Sequence, residues 1–507
     1  MNNEVMSPGG AESGVSSWSR RVRWFFVAGA AVLVLVVVVA VLWVVEFPDR
    51  STADGSAGPY EFPSTVSEAS WTWSAPEEEE ILETHTLPFG LAAEVEDGVF
   101  AVDGSSGEQL WHYRREGFVL SSAGVSPGGD VMALAFDEQP DEDEDGEDSS
   151  EEDVPEGDEG VEAGPRELVV LEAGTGEVVA EREIPREDVG SDGLVYEDSF
   201  APAAVGAGQL TDDARLVLDT EDGLTLRARS LESDDEVLWA HEQELPQDVE
   251  QSYAGQVLTT GETVFLSHYH RTESGETSES GEFSAGLVAL EADTGRVRWE
   301  HTWDYTVQDV YSSSSIPLYA PTLSVSPDNP DVVAVKLGFG GPGWALDVDT
   351  GEERISDLWG EGQVIGLFED SYVVTRGIPK YLDHEGREVD EVRLPTSQGG
   401  WELAQVAATP EAVIGLYANY PQDDGMESPQ EAVARVIDRE SGEESASIPL
   451  DGMTYSQIVE TSVHDLSHRV VERSPFLHTV PGALVVLDGF PRRGGEEGTA
   501  RSITGLT

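Results

Sequence analysis

Hydrophobic residues are distributed along this chain in two ways. Trp24–Val45 reads WFFVAGAAVLVLVVVVAVLWVV, 22 consecutive residues without a charge. From about residue 85 onward, apolar and polar residues instead alternate in short runs, and no helical periodicity of useful length occurs after residue 50. The first pattern predicts a transmembrane helix, because a helix of this length spans roughly 33 Å, the hydrocarbon thickness of a bilayer. Fifteen of its residues are Val, Leu or Phe, each favouring insertion by roughly 0.3–0.6 kcal/mol. Valine is β-branched, yet in lipid every backbone group must be bonded within the segment, which imposes a helix. The second pattern predicts strands with one side chain in two directed to a core.

Charge orients the span. Arg20, Arg21 and Arg23 precede it and Glu46, Asp49 and Arg50 follow it, which keeps residues 1–23 in the cytoplasm and the rest of the chain outside. Trp24 and Trp43 fall at the two interfaces. The alternative is a cleaved signal peptide, whose apolar core of about 7–15 residues ends in small residues; VLWVVEFPDR offers no such exit. Residues 1–23 are too few to fold. Residues 46–80 are rich in Ser, Pro, Gly and acid and read as an extracytoplasmic stalk, with Trp71 and Trp73 on one face and suited to core packing. The folded domain is expected over 81–507.

Within that domain one unit recurs: an alternating apolar run, an acid, a Thr/Ser-Gly turn, then a second strand that often carries Trp. It stands at 99–113 (VFAVDGSSGEQLWHY), 168–182, 286–301 (GLVALEADTGRVRWEH), 343–356 and 434–448, more weakly at 226–241 and 380–394, with a last mark at 483–489. The unit predicts a β-hairpin. Asp103, Asp347 and Asp438 are placed to accept turn N–H bonds, and Gly107, Gly176, Gly295, Gly351 and Gly442 to supply the positive φ such turns need. Trp111, Trp239 and Trp299 are placed to pack between neighbouring sheets. The turn glycines 295, 351, 386 and 442 are 56, 35 and 56 residues apart, the length of a four-stranded sheet with its loops. Such sheets shield their faces only against one another, and radial closure removes the open ends. The expectation is an all-β protein, an eight-bladed β-propeller behind one N-terminal transmembrane α-helix, or seven blades if 483–506 closes the first.

Residues 101–111 (AVDGSSGEQLW) and 289–299 (ALEADTGRVRW) resemble the repeat of the PQQ-binding-like β-propeller family, Ala-x-Asp-x-x-Thr-Gly-x-x-x-Trp, with Ser106 in the Thr place and Glu291 in the Asp place. Copies at 170–180, 345–355 and 436–446 keep the turn without the Trp. The resemblance covers most of 85–490 and implies the fold. The family holds quinone-dependent dehydrogenases beside non-enzymatic scaffolds such as BamB-like assembly factors. The dehydrogenases use a calcium ion, a catalytic Asp and, in many cases, a disulfide of adjacent cysteines. This chain has no cysteine and no Asp that stands apart from the turn acids, so PQQ-dependent oxidation is not expected.

Composition narrows the function further. With 100 acidic residues against 28 Lys and Arg, the formal net charge is −72, a surface that repels phosphate backbones and excludes nucleic acid as a partner. Such acidity suits a salty or alkaline exterior, where screening lowers self-repulsion. Without cysteines the domain relies on core burial, and thiol catalysis and Cys-ligated zinc are excluded.

Other candidate chemistry has a plainer counterpart. An acidic insert at 137–164 carries 16 Asp or Glu within 137–162. There Asp141, Asp143, Asp145, Gly146 and Glu152 fit the D-x-D-x-D-G-x5-E calcium loop. Asp148 stands where that loop is apolar, and neither flank suits a helix, so a disordered polyanionic loop is expected. His268 and His270 would share a face of a strand, but with no third ligand fixed nearby a surface or loop role is expected. His464 and His468 have i, i+4 spacing in a short segment, and the glycines of GFGGPGW (338–344) precede a strand and lack a phosphate-loop Lys. The expectation is a membrane-anchored extracytoplasmic binding or scaffold module with no catalytic, cofactor or metal residues assigned. It touches the membrane through Trp24–Val45 and an envelope protein or polymer through its loops. The alternatives are an extracytoplasmic enzyme with its site in the propeller channel and a weakly calcium-responsive surface protein.

Overall fold

The computed structural model describes residues 50–52, 59–76, 79–138, 166–184, 204–205, 208–212, 215–219, 225–230, 237–243, 249–272, 282–306, 321–326, 329–337, 343–356, 363–375, 378–395, 397–398, 401–419, 432–450, 477–489 and 500–507. Residues Ser51–Thr507 form one compact unit. The span Trp24–Val45, the calcium-loop match at 141–152 and His464/His468 lie outside the described residues. Among the described residues no helix is long and apolar enough to cross a membrane.

The alternating runs form antiparallel sheets, and in all but the first and the last of them the strands follow chain order. Sheet 1 contains Thr84–Leu87, Gly90–Val95, Gly98–Asp103 and Gln109–Arg114. Sheet 2 contains Phe118–Val125, Val131–Glu138, Arg166–Glu172 and Val178–Ile184. Sheet 3 runs from Ala204–Val205 to Val237–Glu242, sheet 4 from Val249–Thr260 to Val297–Thr306, and sheet 5 from Thr322–Ser326 to Glu353–Ser356. Sheet 6 runs from Gln363–Leu367 to Glu388–Glu391 and sheet 7 from Ser397–Gln398 to Glu444–Leu450. Sheets 2 to 7 each grow from one run of strands, and sheet 1 takes a further outer strand from residues ahead of Thr84. The last sheet, sheet 8, is composite: Leu477–Val480, Ala483–Leu487 and Ser502–Leu506 are completed by Ala69–Ser74 from the other end of the domain. The C-terminal strands therefore pair ahead of sheet 1 and not within it.

The sheets close on themselves as a β-propeller. One apolar cluster joins sheets 1 and 2 (Trp111, Tyr113, Leu134, Phe136) and another joins 2 to 3 (Val170, Leu210). Further clusters join 3 to 4, 4 to 5, 5 to 6 and 6 to 7 in succession. A last cluster holds residues of 7, 8 and 1 together (Ile414, Val485, Leu91). Early strands of successive sheets lie side by side, Thr84–Leu87 by Phe118–Val125 and Trp401–Ala408 by Leu477–Val480, and so surround the axis.

Two expectations need correction. Alternation holds on outer strands such as Ala69–Ser74 and Glu444–Leu450, where one face meets solvent. The middle strands Gly90–Val95 and Gly98–Asp103 are buried at every position, because each blade is covered on both faces by its neighbours. The stalk expected over 46–80 also ends earlier. Ala69–Ser74 is a strand of the ring, Val66, Trp71 and Trp73 are buried in it, and the Ser64 carbonyl accepts a 2.6 Å bond from Thr409 Oγ1 of sheet 7. Three large apolar groups within eight residues outweigh the flexibility of the Ser- and Pro-rich stretch around them.

Candidate functional site

The repeat motif turns out to be a locking device between sheets. In each turn the glycine N–H donates back to the acid's carbonyl, Gly107 to Asp103 at 2.8 Å and Gly351 to Asp347 at 2.9 Å. The carboxylates are engaged as well. Asp103 Oδ1 accepts from Ser105 N and Ser106 N, both at 2.9 Å, while Tyr60 donates to Oδ2 at 3.0 Å. Asp347 accepts from Thr350 N at 2.8 Å and pairs with Arg354, and Asp438 accepts from Ser441 N at 2.7 Å. Burial opposes ionisation of Asp103, but the Ser105, Tyr60 and Ser106 hydrogen bonds hold its carboxyl below the usual aspartate range.

Each tryptophan reaches the turn of the next sheet. Trp71, Trp111 and Trp239 donate Nε1–H to the carbonyls of Gly104, Ala173 and Ala292 at 2.8 Å, and Trp299 to Val348 at 2.9 Å. Their rings lie flat on the turn glycines Gly107, Gly176, Gly295 and Gly351, whose φ angles are 71°, 69°, 66° and 70°. The turn glycine Gly442 closes only its own turn and meets no tryptophan among the described residues, whereas Trp111, Trp239 and Trp299 pack between sheets as expected. Trp71, read as an element of the stalk, belongs to the same set.

Two clusters lie outside this lattice. His268 and His270 are on the buried strand Thr263–Thr272, 3% and 5% exposed, with rings stacked at 6.1 Å. This corrects the surface or loop role: Val264 and Leu266 carry the same face into the core shared with sheet 3, and the strand continues through both histidines. Gly286, opposite His268 in the register, makes room for its ring, since a Cβ there would lie 2.3 Å from the imidazole. Neither nitrogen of His268 has a hydrogen-bond partner among the described residues. Burial, then the neighbouring His270, lowers its pKa to about 4, so the imidazole is neutral.

The second cluster was not foreseen. Thr84 pairs with Ala93 across the first hairpin of sheet 1, and Glu94 N donates to Glu83 O at 2.9 Å, one step further along. Glu83, His85 and Glu94 therefore project on one face. His85 Nε2 contacts Glu94 Oε1, and one ligand atom from each of the three side chains lies within 4.8 Å of the others. His85 and Glu94 are each 6% exposed, whereas Glu83 is exposed. The cluster sits on the first two strands of the sheet, beside the axis; Thr84 Oγ1, next to it, bonds His478 of sheet 8 at 3.2 Å. The signal was available in the sequence only to a reader who fixed the register of the Leu87–Gly90 turn, where Gly90 has a φ of 151°.

Residues 150–336 match the family model described as outer membrane protein assembly factor BamB. No curated protein matches the chain by sequence. Similar solved structures include dihydro-heme d1 dehydrogenase NirN, 14% identical over 79% of this chain and 75% of that one, TM-score 0.35. The WD40 domain of SCAP from fission yeast is 9% identical over 86% and 98%, TM-score 0.38. An oligogalacturonate lyase is 11% identical over 91% and 98%, TM-score 0.34. Likeness this remote carries no functional argument.

Proposed function

Because this chain carries a PQQ-like β-propeller repeat, we propose that it is a membrane-anchored, extracytoplasmic binding or scaffold module. In this reading the composite sheet counts as a blade, which makes eight among the described residues. The observation that carries this reading is the engagement of the repeat's polar groups in the lattice between sheets. Asp103, Asp347 and Asp438 hold their own turns and the tryptophan N–H groups hold the next sheet's carbonyls, so the repeat itself builds a rigid frame. Function then falls to the loops and rims that the frame presents. Its strong negative charge suits a partner with basic groups and repels polyanions. Anchoring rests on the charge-free run Trp24–Val45 and the arginines before it.

The absence of native cysteine makes topology directly testable. In intact cells, Glu385→Cys on the ring is expected to react with a membrane-impermeant maleimide, while Ser13→Cys reacts only after lysis. Labelling of Ser13→Cys in intact cells refutes the orientation. For the scaffold role, cross-linking the full-length chain in membranes is expected to enrich a defined envelope component over a ring-unfolded variant. No such difference refutes it.

A further inference from the structure

Beyond that role, we propose that Glu83, His85 and Glu94 form a binding site for a single divalent transition-metal ion of the zinc type, at the axial side of sheet 1. The three side chains come from two paired strands, not from a loop, so the donor set is held by the backbone ladder between Thr84–Leu87 and Gly90–Val95. One atom from each lies within 4.8 Å of the other two. Ligands bound at about 2.1 Å to a tetrahedral ion stand about 3.4 Å apart, so small side-chain rotations bring all three onto one centre.

The chemistry of the donors selects the metal. One imidazole and two carboxylates match the three-ligand, open-position pattern of zinc sites, with a fourth place left for water or a partner's group. Calcium prefers six to eight oxygens and magnesium an octahedron of them, which one nitrogen and two carboxylates do not provide. Charge also balances: two carboxylates neutralise a divalent ion, and a neutral centre is the arrangement a mostly buried site tolerates best. The metal sits where His85 Nε2 and Glu94 Oε1 already face each other in contact. Exposed Glu83 is the entry side, and the surrounding negative field raises the local cation concentration.

The alternative explanation is a buried His–Glu pair that happens to lie near a surface glutamate. Full-length protein in detergent, stripped with EDTA and dialysed, should be titrated calorimetrically with Zn2+ in an excess of Mg2+ and Ca2+, which occupy diffuse acidic sites. One saturable equivalent is expected in the wild type. Glu83→Gln, at an exposed position, should weaken it at least as much as the roughly 10–100-fold lost when a supporting contact is removed. His85→Gln and Glu94→Gln should abolish it. Co2+ in place of Zn2+ should give a visible d–d band that His85→Gln eliminates. The proposal is overturned if folded wild type shows no saturable Zn2+ event above the Mg2+/Ca2+ background. It is equally overturned if Glu83→Gln binds as tightly as wild type.

Discussion

Replacing Gly176 by alanine tests the inter-sheet lattice where two costs can be separated. Its φ is 69°, a left-handed conformation that costs an L-residue about 1–2 kcal/mol. A Cβ there would also lie 2.8 Å from Trp111 Cδ2, and Trp111 is 1% exposed, so the ring cannot move aside without disturbing the core between sheets 1 and 2. Such overpacking adds about 1–3 kcal/mol, for a total of about 2–5 kcal/mol. Gly442 has the same conformation, φ 66°, but nothing lies within 4 Å of its virtual Cβ; Gly442→Ala should therefore cost only the conformational part, about 1–2 kcal/mol. Trp111→Ala alone should cost about 3–5 kcal/mol. In that background the clash is gone, so Gly176→Ala should cost no more than Gly442→Ala does, a coupling of about 1–3 kcal/mol. Urea unfolding of the full-length chain followed by circular dichroism measures all four variants. Equal losses for Gly176→Ala and Gly442→Ala, or additivity of Trp111→Ala with Gly176→Ala, would refute tryptophan-on-glycine contact as the lock between sheets.

Two further predictions concern pH. His268, with a folded pKa of about 4 against an ordinary 6.5, contributes stability in full above pH 6.5 that is lost progressively as pH falls to 4, by about 3 kcal/mol from a depression of this size; His268→Leu should flatten urea midpoints across that window, and an unchanged slope counts against the burial of a neutral imidazole. Burial opposes the depression of the Asp347 pKa, but hydrogen bonds from Arg354 and Thr350 overcome it, so its contribution is present above the unfolded aspartate value and is lost as pH falls through the lower folded one. Asp347→Asn should be less stable than wild type at pH 7, with the gap narrowing at pH 3; a gap independent of pH would show that ionisation of Asp347 is irrelevant to the turn.

Much of the frame was legible in the amino-acid pattern because its signals are local. A Thr/Ser-Gly turn needs its acid, its hydroxyl and its glycine within five residues, so Asp347, Thr350 and Gly351 announce themselves together. Alternation before the turn identifies the strand in the same way. His268 and His270 were visible as a pair two residues apart, yet their burial was not, because it depends on a glycine 18 residues later and on the sheet in front of it. The Glu83–His85–Glu94 cluster was illegible for a related reason: Glu94 becomes a neighbour of Glu83 only through the register of a hairpin, and among 100 acids composition cannot single it out.

Sequence by itself determined what short-range chemistry dictates: a 22-residue apolar run distinct from everything after it, hairpins with positive-φ glycines, and enough recurring copies to demand a closed ring. Tertiary structure decided what depends on partners distant in the chain. It drew Ala69–Ser74 across to Ser502–Leu506 to complete the last sheet, covered the middle strands on both faces, and set each tryptophan on a glycine some 36 to 65 residues away. The division has one physical origin: hydrogen bonds and φ preferences act between neighbours in sequence, whereas burial is a property of whatever surface closes over a residue once the ring has formed.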